Sequence, residues 1–272
     1  MPVALVTGAS RGIGRCAALA LARAGFDVAI TARTLREGDA REGDVVVPGS
    51  LETTAAEIEA LGGAALQVRM DLLERESVEM SVDTVLERWG RVDVLVNNAI
   101  YQGRGPMELL LDLPLDIADT MLRADFLHQL LLAQRVLPGM LERGRGTIID
   151  VISATAYLEP PAPAGSGGWG VGYAAAKAAF ARVVPIIHVE HGGRGIRAFN
   201  VDPGFVINER MRALDSHQVY TDAKFKGIGP ELPGEVIGWL ASSPDADQYR
   251  GQVVIAQKVA KQLGLRGGEA AS

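Results

Sequence analysis

The sequence predicts an α/β protein built on a doubly wound parallel sheet of about seven strands, with helices on both faces. Three observations carry this expectation. Short β-branched runs alternate with longer segments of helical period, which is the rhythm of repeated βαβ units. The strand candidates are apolar almost throughout, as suits strands covered on both faces. A glycine-rich turn joins the first strand to the first helix.

Taken in order, residues 3–7 read as the first strand. The segment that follows sets Ile13, Cys16, Ala17, Ala20, Leu21 and Ala24 on one helical face, and Gly25 stops that helix. Residues 27–32, 65–69, 92–96, 147–152, 196–201 and 252–255 are further strands, most of them separated by helical patterns. Three stretches break the rhythm: the polar segment 34–50, the Pro/Gly-rich segment 158–172, and 205–233. Connections of that length are usually functional or mobile. One domain is expected over 1–265, with a frayed tail at 266–272.

Composition narrows the function. The 272 residues are 48% hydrophobic and 22% charged, which excludes a disordered chain. A formal net charge of −6 argues against nucleic acid as a partner. The single cysteine, Cys16, offers neither an internal disulfide nor a zinc site and suits a reducing cytoplasm. No metal site is expected: His188 and His191 lack acidic partners at ligand spacing and read as surface or packing residues. No targeting segment and no membrane span is read in the sequence.

The turn Thr7-Gly8-Ala9-Ser10-Arg11-Gly12-Ile13-Gly14 carries the first chemistry. Its glycines let the backbone turn tightly and approach a pyrophosphate, whose charge is favoured by the free N–H groups at a helix start. A glycine triplet also fits an ordinary turn, but its place between the first strand and first helix favours dinucleotide binding. At the end of the second strand, where an acid would accept bonds from the ribose hydroxyls of NAD, the sequence reads Thr31-Ala32-Arg33-Thr34. Arg33, joined by Arg11 and assisted by Arg36, would instead pair with a 2′-phosphate, so NADP is favoured over NAD. Solvated surface arginines are the competing reading.

Tyr173 and Lys177 stand four residues apart at the opening of a helical run, so both can reach one ligand. A nearby ammonium favours phenolate and would lower a tyrosine pKa from its usual value of about 10. Without the glycine loop, a surface helix pair would be the default reading. Ser153 ends an apolar strand, where its hydroxyl could orient a substrate carbonyl.

Together these residues make the chain resemble the classical short-chain dehydrogenase/reductase family, a Rossmann-type fold, over nearly its whole length. Thr7, Gly8, Gly12 and Gly14 match the family's glycine motif, and Ser10, Arg11 and Ile13 fall in the same cofactor loop. Asp71, with Leu72 beside it, matches an acid that contacts the adenine, and Asn97-Asn98-Ala99 matches the turn under the adenosine ribose. Pro203-Gly204 matches the turn beside the nicotinamide, with Val206 just after it. Ser153, Tyr173 and Lys177 match the catalytic serine, tyrosine and lysine. The resemblance implies that Tyr173 is the general acid for carbonyl reduction and the base for alcohol oxidation. Ser153 would then bond the reacting oxygen, and Lys177 would hold the nicotinamide ribose and depress the Tyr173 pKa.

Several positions depart from the family. Ile100 replaces a glycine, Asp125 stands where the family has a catalytic asparagine in a long helix, and Asn208 is a candidate substitute for a threonine that contacts the carboxamide. Asp125 would either serve a proton relay from Lys177 or merely bond backbone groups. An insertion lengthens the Ser153 to Tyr173 interval, and Trp169 within it is a candidate substrate wall. Ala256-Gln257-Lys258 replaces the usual Asp-Gly-Gly finish. The 34–50 connection is similar to that of hydroxysteroid-dehydrogenase-like members. Arg210, Arg212, Lys224 and Lys226 would either receive a phosphorylated carrier or, as the favoured reading, belong to a solvated lid.

The expected protein is an NADP-dependent oxidoreductase that interconverts a ketone and a secondary alcohol on a largely apolar small molecule, as a homodimer or homotetramer. The alternative is an NADP-binding regulator or sensor with little turnover.

Overall fold

The structure, a computed structural model, describes residues 1–215 and 227–265. Lys224, Lys226 and the 266–272 tail lie outside the described residues. Seven strands form one parallel sheet: β1 (Val3–Thr7), β2 (Asp27–Ala32), β5 (Ala65–Arg69), β6 (Val94–Asn97), β7 (Gly146–Val151), β8 (Ile196–Asp202) and β9 (Val253–Ile255). Their order across the sheet is β5-β2-β1-β6-β7-β8-β9, parallel at every pair. The expected doubly wound sheet is therefore present. Its central strands β1, β2, β6 and β7 are buried along their full length, which is why they read as continuous apolar runs.

The order reverses between β1 and β6. From β1 the chain runs outward through β2 and β5, then returns to start the other half at β6. Such a switch point leaves a crevice beyond the carboxyl ends of the strands, where doubly wound sheets bind ligands. One face is covered by α1 (Gly12–Arg23), α2 (Leu51–Ala60), α9 (Glu231–Ser242) and α10 (Ala256–Leu263), around a core that includes Val6, Leu21, Ile58, Phe199 and Leu240. The other is covered by α3 (Arg75–Trp89), α5 (His128–Glu142), α6 (Val171–Ala181) and α7 (Val183–His191), around Leu5, Val82, Leu132, Ile148 and Val184.

Three features were not foreseen. The polar 34–50 connection folds a small antiparallel hairpin from β3 (Arg41–Glu42) and β4 (Val45–Val46), exposed at every strand position. The long helix after β6 is broken into α4 (Leu115–Leu122), a π-helical turn (Arg123–Leu127) and α5, and π-turns of this kind frequently mark functional positions. The chain after β9 turns at once into α10, which buries Ala256, Val259 and Ala260 on one side. The family's Asp-Gly-Gly finish is thus replaced by helix.

Candidate active site

One cleft of about 490 Å³ opens along the carboxyl ends of the strands. Its walls come from the loops after β1 (Gly8, Ser10, Arg11, Gly12, Ile13), β2 (Arg33, Thr34), β5 (Asp71, Leu72) and β6 (Asn98, Ala99, Ile100), and from Tyr173, Lys177 and Pro203. Residues from both halves of the sequence thus meet in one crevice. Gly14, Asp125, Ser153, Gly204 and Val206 lie outside the lining.

The glycine loop is held by its neighbours. Gly8 has φ +68, a backbone that favours glycine. A Cβ on Gly14 would stand 2.3 Å from the Gly8 carbonyl oxygen and 2.5 Å from Asn98 Nδ2, so only glycine lets α1 start this close to β1. Asn98 Nδ2 donates to Thr7 O at 2.8 Å, and Thr7 Oγ1 accepts from the Asn98 and Ala99 N–H groups at 2.9 and 3.0 Å. These bonds stitch the β1 and β6 ends together at the switch point. Gly12 N donates to Glu209 Oε2 at 2.9 Å, where Glu209 opens α8 (Glu209–Leu214). A carboxylate seated there shows that the loop attracts an oxyanion, as free N–H groups at a helix start do.

The arginines divide. Arg11 lines the cleft and donates to Pro48 O at 2.7 Å and to Gly49 O at 2.8 Å, so it also fastens the inserted loop. Arg36 is exposed and outside the cleft lining. Arg33 lines the cleft, is exposed, and makes no hydrogen bond or ion pair among the described residues. Arg210 pairs with Glu42 of the hairpin, its Nη2 lying 2.9 Å from Glu42 Oε2. The hairpin and α8 are thereby clasped to each other beside the crevice.

At the other end, α6 carries Tyr173 half-buried and Lys177 buried. Lys177 Nζ donates to Val151 O at 2.8 Å. Burial lowers its proton affinity, while Asp125 and Asp150 raise it. The Tyr173 phenol is pushed up to about 12, by burial first and then by Asp125 and Asp202, against a side-chain hydrogen bond with Ser153 that lowers it. The expectation that Lys177 would hold the Tyr173 pKa down is not met, because burial dominates and the ammonium is engaged at Val151. Ser153 also caps the short 3₁₀ turn Ala154–Ala156.

Asp125 sits in the π-turn with 1% exposure. Its Oδ1 accepts from the Tyr101 N–H at 2.6 Å, and its Oδ2 is buried without a partner. Burial raises its pKa, against Lys177 and the Tyr101 bond. Two helical neighbours missed in the sequence reading secure the same wall: Gln129 Nε2 donates to Ala99 O at 2.6 Å, and His128 Nδ1 lies 2.6 Å from Leu72 O. Asn208 lines the cleft, but its Oδ1 caps α8 by accepting from Met211 N at 2.9 Å. Trp169 is half-buried and outside the cleft lining.

Comparison with known proteins agrees with this geometry. Residues 2–218 match the short chain dehydrogenase family model. The chain belongs to that family. A 3-oxoacyl-[acyl-carrier-protein] reductase of Synechocystis is 31% identical over 252 residues, covering 92% of this chain and 93% of the relative. An L-rhamnose 1-dehydrogenase (NAD(P)(+)) of Sphingomonas is 31% identical, covering 88% of each chain. The crystal structure of an acetoin dehydrogenase from Salmonella typhimurium superposes with a TM-score of 0.75 at 26% identity, covering 94% of both chains. A metagenomic short-chain oxidoreductase in complex with NADP gives 0.70 at 27% identity, covering 93% of this chain and 95% of that one. This short-chain dehydrogenase/reductase is therefore an NAD(P)-dependent oxidoreductase of CH–OH and C=O groups. The cleft fits a dinucleotide by its own geometry: the glycine cradle has no room for a side chain at Gly14, Gly12 N–H bonds the Glu209 side chain, and Arg33 stands at the rim with no hydrogen bond or ion pair among the described residues. No helix among the described residues is long and apolar enough to cross a membrane.

Proposed function

We propose that this short-chain dehydrogenase/reductase uses NADP to interconvert a ketone and a secondary alcohol on a largely apolar small molecule, with Tyr173 as general acid and base. The observation that carries the reading is one cleft with Tyr173 and Lys177 in its walls and the exposed Arg33 at another part of its lining. When bound, the cofactor would supply a hydride as NADPH in the reducing direction and accept one as NADP⁺ in the oxidising direction. Gly8, Ser10, Gly12, Ile13, Asn98 and Ala99 would hold the dinucleotide, with Asp71 and Leu72 at the adenine and Pro203, Gly204 and Val206 near the nicotinamide. A Tyr173 phenol held protonated by burial gives its proton to the oxygen that gains charge during reduction. Ser153, whose side chain acts to lower the Tyr173 pKa, orients the same oxygen, and Lys177 steadies the ribose and the phenolate left behind.

The panel that tests this contains simple ketones, 3-oxoacyl thioesters and sugars, read by loss of NADPH absorbance. Turnover of any of them supports an enzyme. NADPH binding without turnover of any supports the regulator instead.

Cofactor choice has its own test. Arg33→Ala is expected to weaken NADPH binding about tenfold or more, since a charged phosphate bond is worth about 1.5 to 3 kcal/mol, and to leave NADH binding unchanged. Equal affinities of the native protein for NADPH and NADH contradict the assignment.

Asp125 is proposed to help organise the water chain of a proton relay leading from Lys177 to solvent. Its orphaned, buried Oδ2 supports this role, although Oδ1 serves the backbone. Asp125→Asn is expected to keep substantial activity, and Asp125→Leu to slow turnover while NADPH still binds. Full activity in Asp125→Leu removes Asp125 from the mechanism.

A homo-oligomer is supported by apolar side chains left exposed on helices of one face, among them Leu127, Ile186 and Val189.

A further inference from the structure

Beneath α6, three buried polar residues lie side by side on one face of the sheet. Register pairs Asn97 with Asp150 and Asp150 with Asn200 across β6, β7 and β8, and aligned residues of neighbouring strands point to the same face. All three are at most 2% exposed. Asn97 Nδ2 donates to Asp150 Oδ1 at 2.9 Å, and Asn200 Nδ2 is spent on Ala181 O at 2.8 Å. That leaves Asn97 Oδ1, Asp150 Oδ2 and Asn200 Oδ1 all buried, all acceptors, and none with a donor. A row of buried oxygens without donors is costly unless a hydrogen is supplied from within.

The charges nearby lead to the same place. Lys177, from α6, acts on Asp150, and both Asp125 from the π-turn and Asp150 act on Lys177. The same face of the sheet carries a core that includes the apolar Phe180 of α6 and Val183 and Val184 of α7. Two buried carboxyls therefore share one buried ammonium. Ionising both would leave an uncompensated anion in the core.

We propose that Asp150 keeps its proton in the resting enzyme, donating its O–H across the strand to Asn200 Oδ1, and acts as a positioning residue that tunes Lys177. The proposal rests on the dehydrogenase reading for its catalytic consequence, not for its proton. With Asp150 neutral, Asp125 is the carboxyl that draws on the Lys177 ammonium. Once Asp150 ionises, a second anion draws on the same ammonium and Lys177 holds its proton more tightly. Burial pushes the Asp150 carboxyl up to about 7, against the Asn97 bond and Lys177, so the change falls near neutral pH.

Two readouts need no substrate. Infrared difference spectra of the native protein against Asp150→Asn should show the carbonyl stretch of a neutral carboxylic acid at about pH 5.5, fading by about pH 9. In protein labelled with ¹⁵N-lysine, the Lys177 ammonium, assigned through Lys177→Arg, should release its proton about tenfold more readily in Asp150→Asn. If Asp150→Asn does not fold, Asn200→Ala serves: without its acceptor the neutral acid is less favoured, and the infrared band should fade at lower pH than in the native protein. Absence of the acid band at about pH 5.5, an unchanged Lys177 titration in a folded Asp150→Asn, or an unmoved band in Asn200→Ala overturns the proposal. Failure of every carbonyl in the panel would instead strike the dehydrogenase reading and leave these measurements standing.

Discussion

Tyr173→Phe is expected to lower kcat about 100-fold to 10,000-fold, the usual worth of a positioned general acid, with NADPH affinity within about twofold of the native protein. The substitution removes one oxygen. The phenyl ring stays on α6, and nothing in the glycine loop or at Arg33 depends on the hydroxyl. Because burial holds the phenol at about 12, it is protonated at neutral pH and ready to donate during reduction. In the oxidising direction it must first give up that proton, so the rate with an alcohol should climb as pH rises, and that climb should vanish in the variant. Steady-state rates in both directions, with NADPH affinity measured by fluorescence, check all three statements.

Gly14→Ala should abolish useful dinucleotide binding, a loss of at least about 100-fold in affinity, equivalent to about 2.7 kcal/mol. The added methyl carbon would lie 2.3 Å from the Gly8 carbonyl oxygen, 2.8 Å from the Gly8 carbonyl carbon and 2.5 Å from Asn98 Nδ2. Two of those atoms are backbone, so the loop must move rather than a side chain swing away. Asn98 would have to give up its bond to Thr7 O, loosening the seam between β1 and β6 where the cleft begins. The strain should also cost about 1 to 3 kcal/mol of stability. Titration with NADPH and a thermal melt separate the two effects, and native affinity in a folded Gly14→Ala contradicts the cradle described above.

Much of the fold was legible because its strands are buried on both faces and read as apolar runs. Residues 27–32 coincide with β2, buried at every position, and 65–69 coincide with the edge strand β5, where Gln67 and Arg69 are exposed. The cleft was legible because its residues sit at strand ends that short motifs mark, as with Gly8, Asn98 and Pro203. Other parts left weaker traces. The β3–β4 hairpin is exposed throughout, so no alternation of apolar and polar residues announces it. The signal for α10 was present, since Ala256, Val259 and Ala260 recur at helical spacing, but similarity to a strand-and-loop ending obscured it. The bonds of Arg11 to Pro48 and Gly49 left no trace in the sequence because they exist only once the inserted loop folds back. The Glu209 bond to Gly12 spans 197 positions, and the row of Asn97, Asp150 and Asn200 depends on register across three strands. No local pattern encodes either.

The central claim is that hydride passes between NADP and a carbonyl carbon beside Tyr173. It is tested most directly by supplying NADPH deuterated at the transferring carbon together with a ketone that the native protein reduces. The alcohol should carry one deuterium at the carbinol carbon, and its formation by Tyr173→Phe should fall by the factor given above. An alcohol free of deuterium, or one formed at the native rate by Tyr173→Phe, would contradict the account.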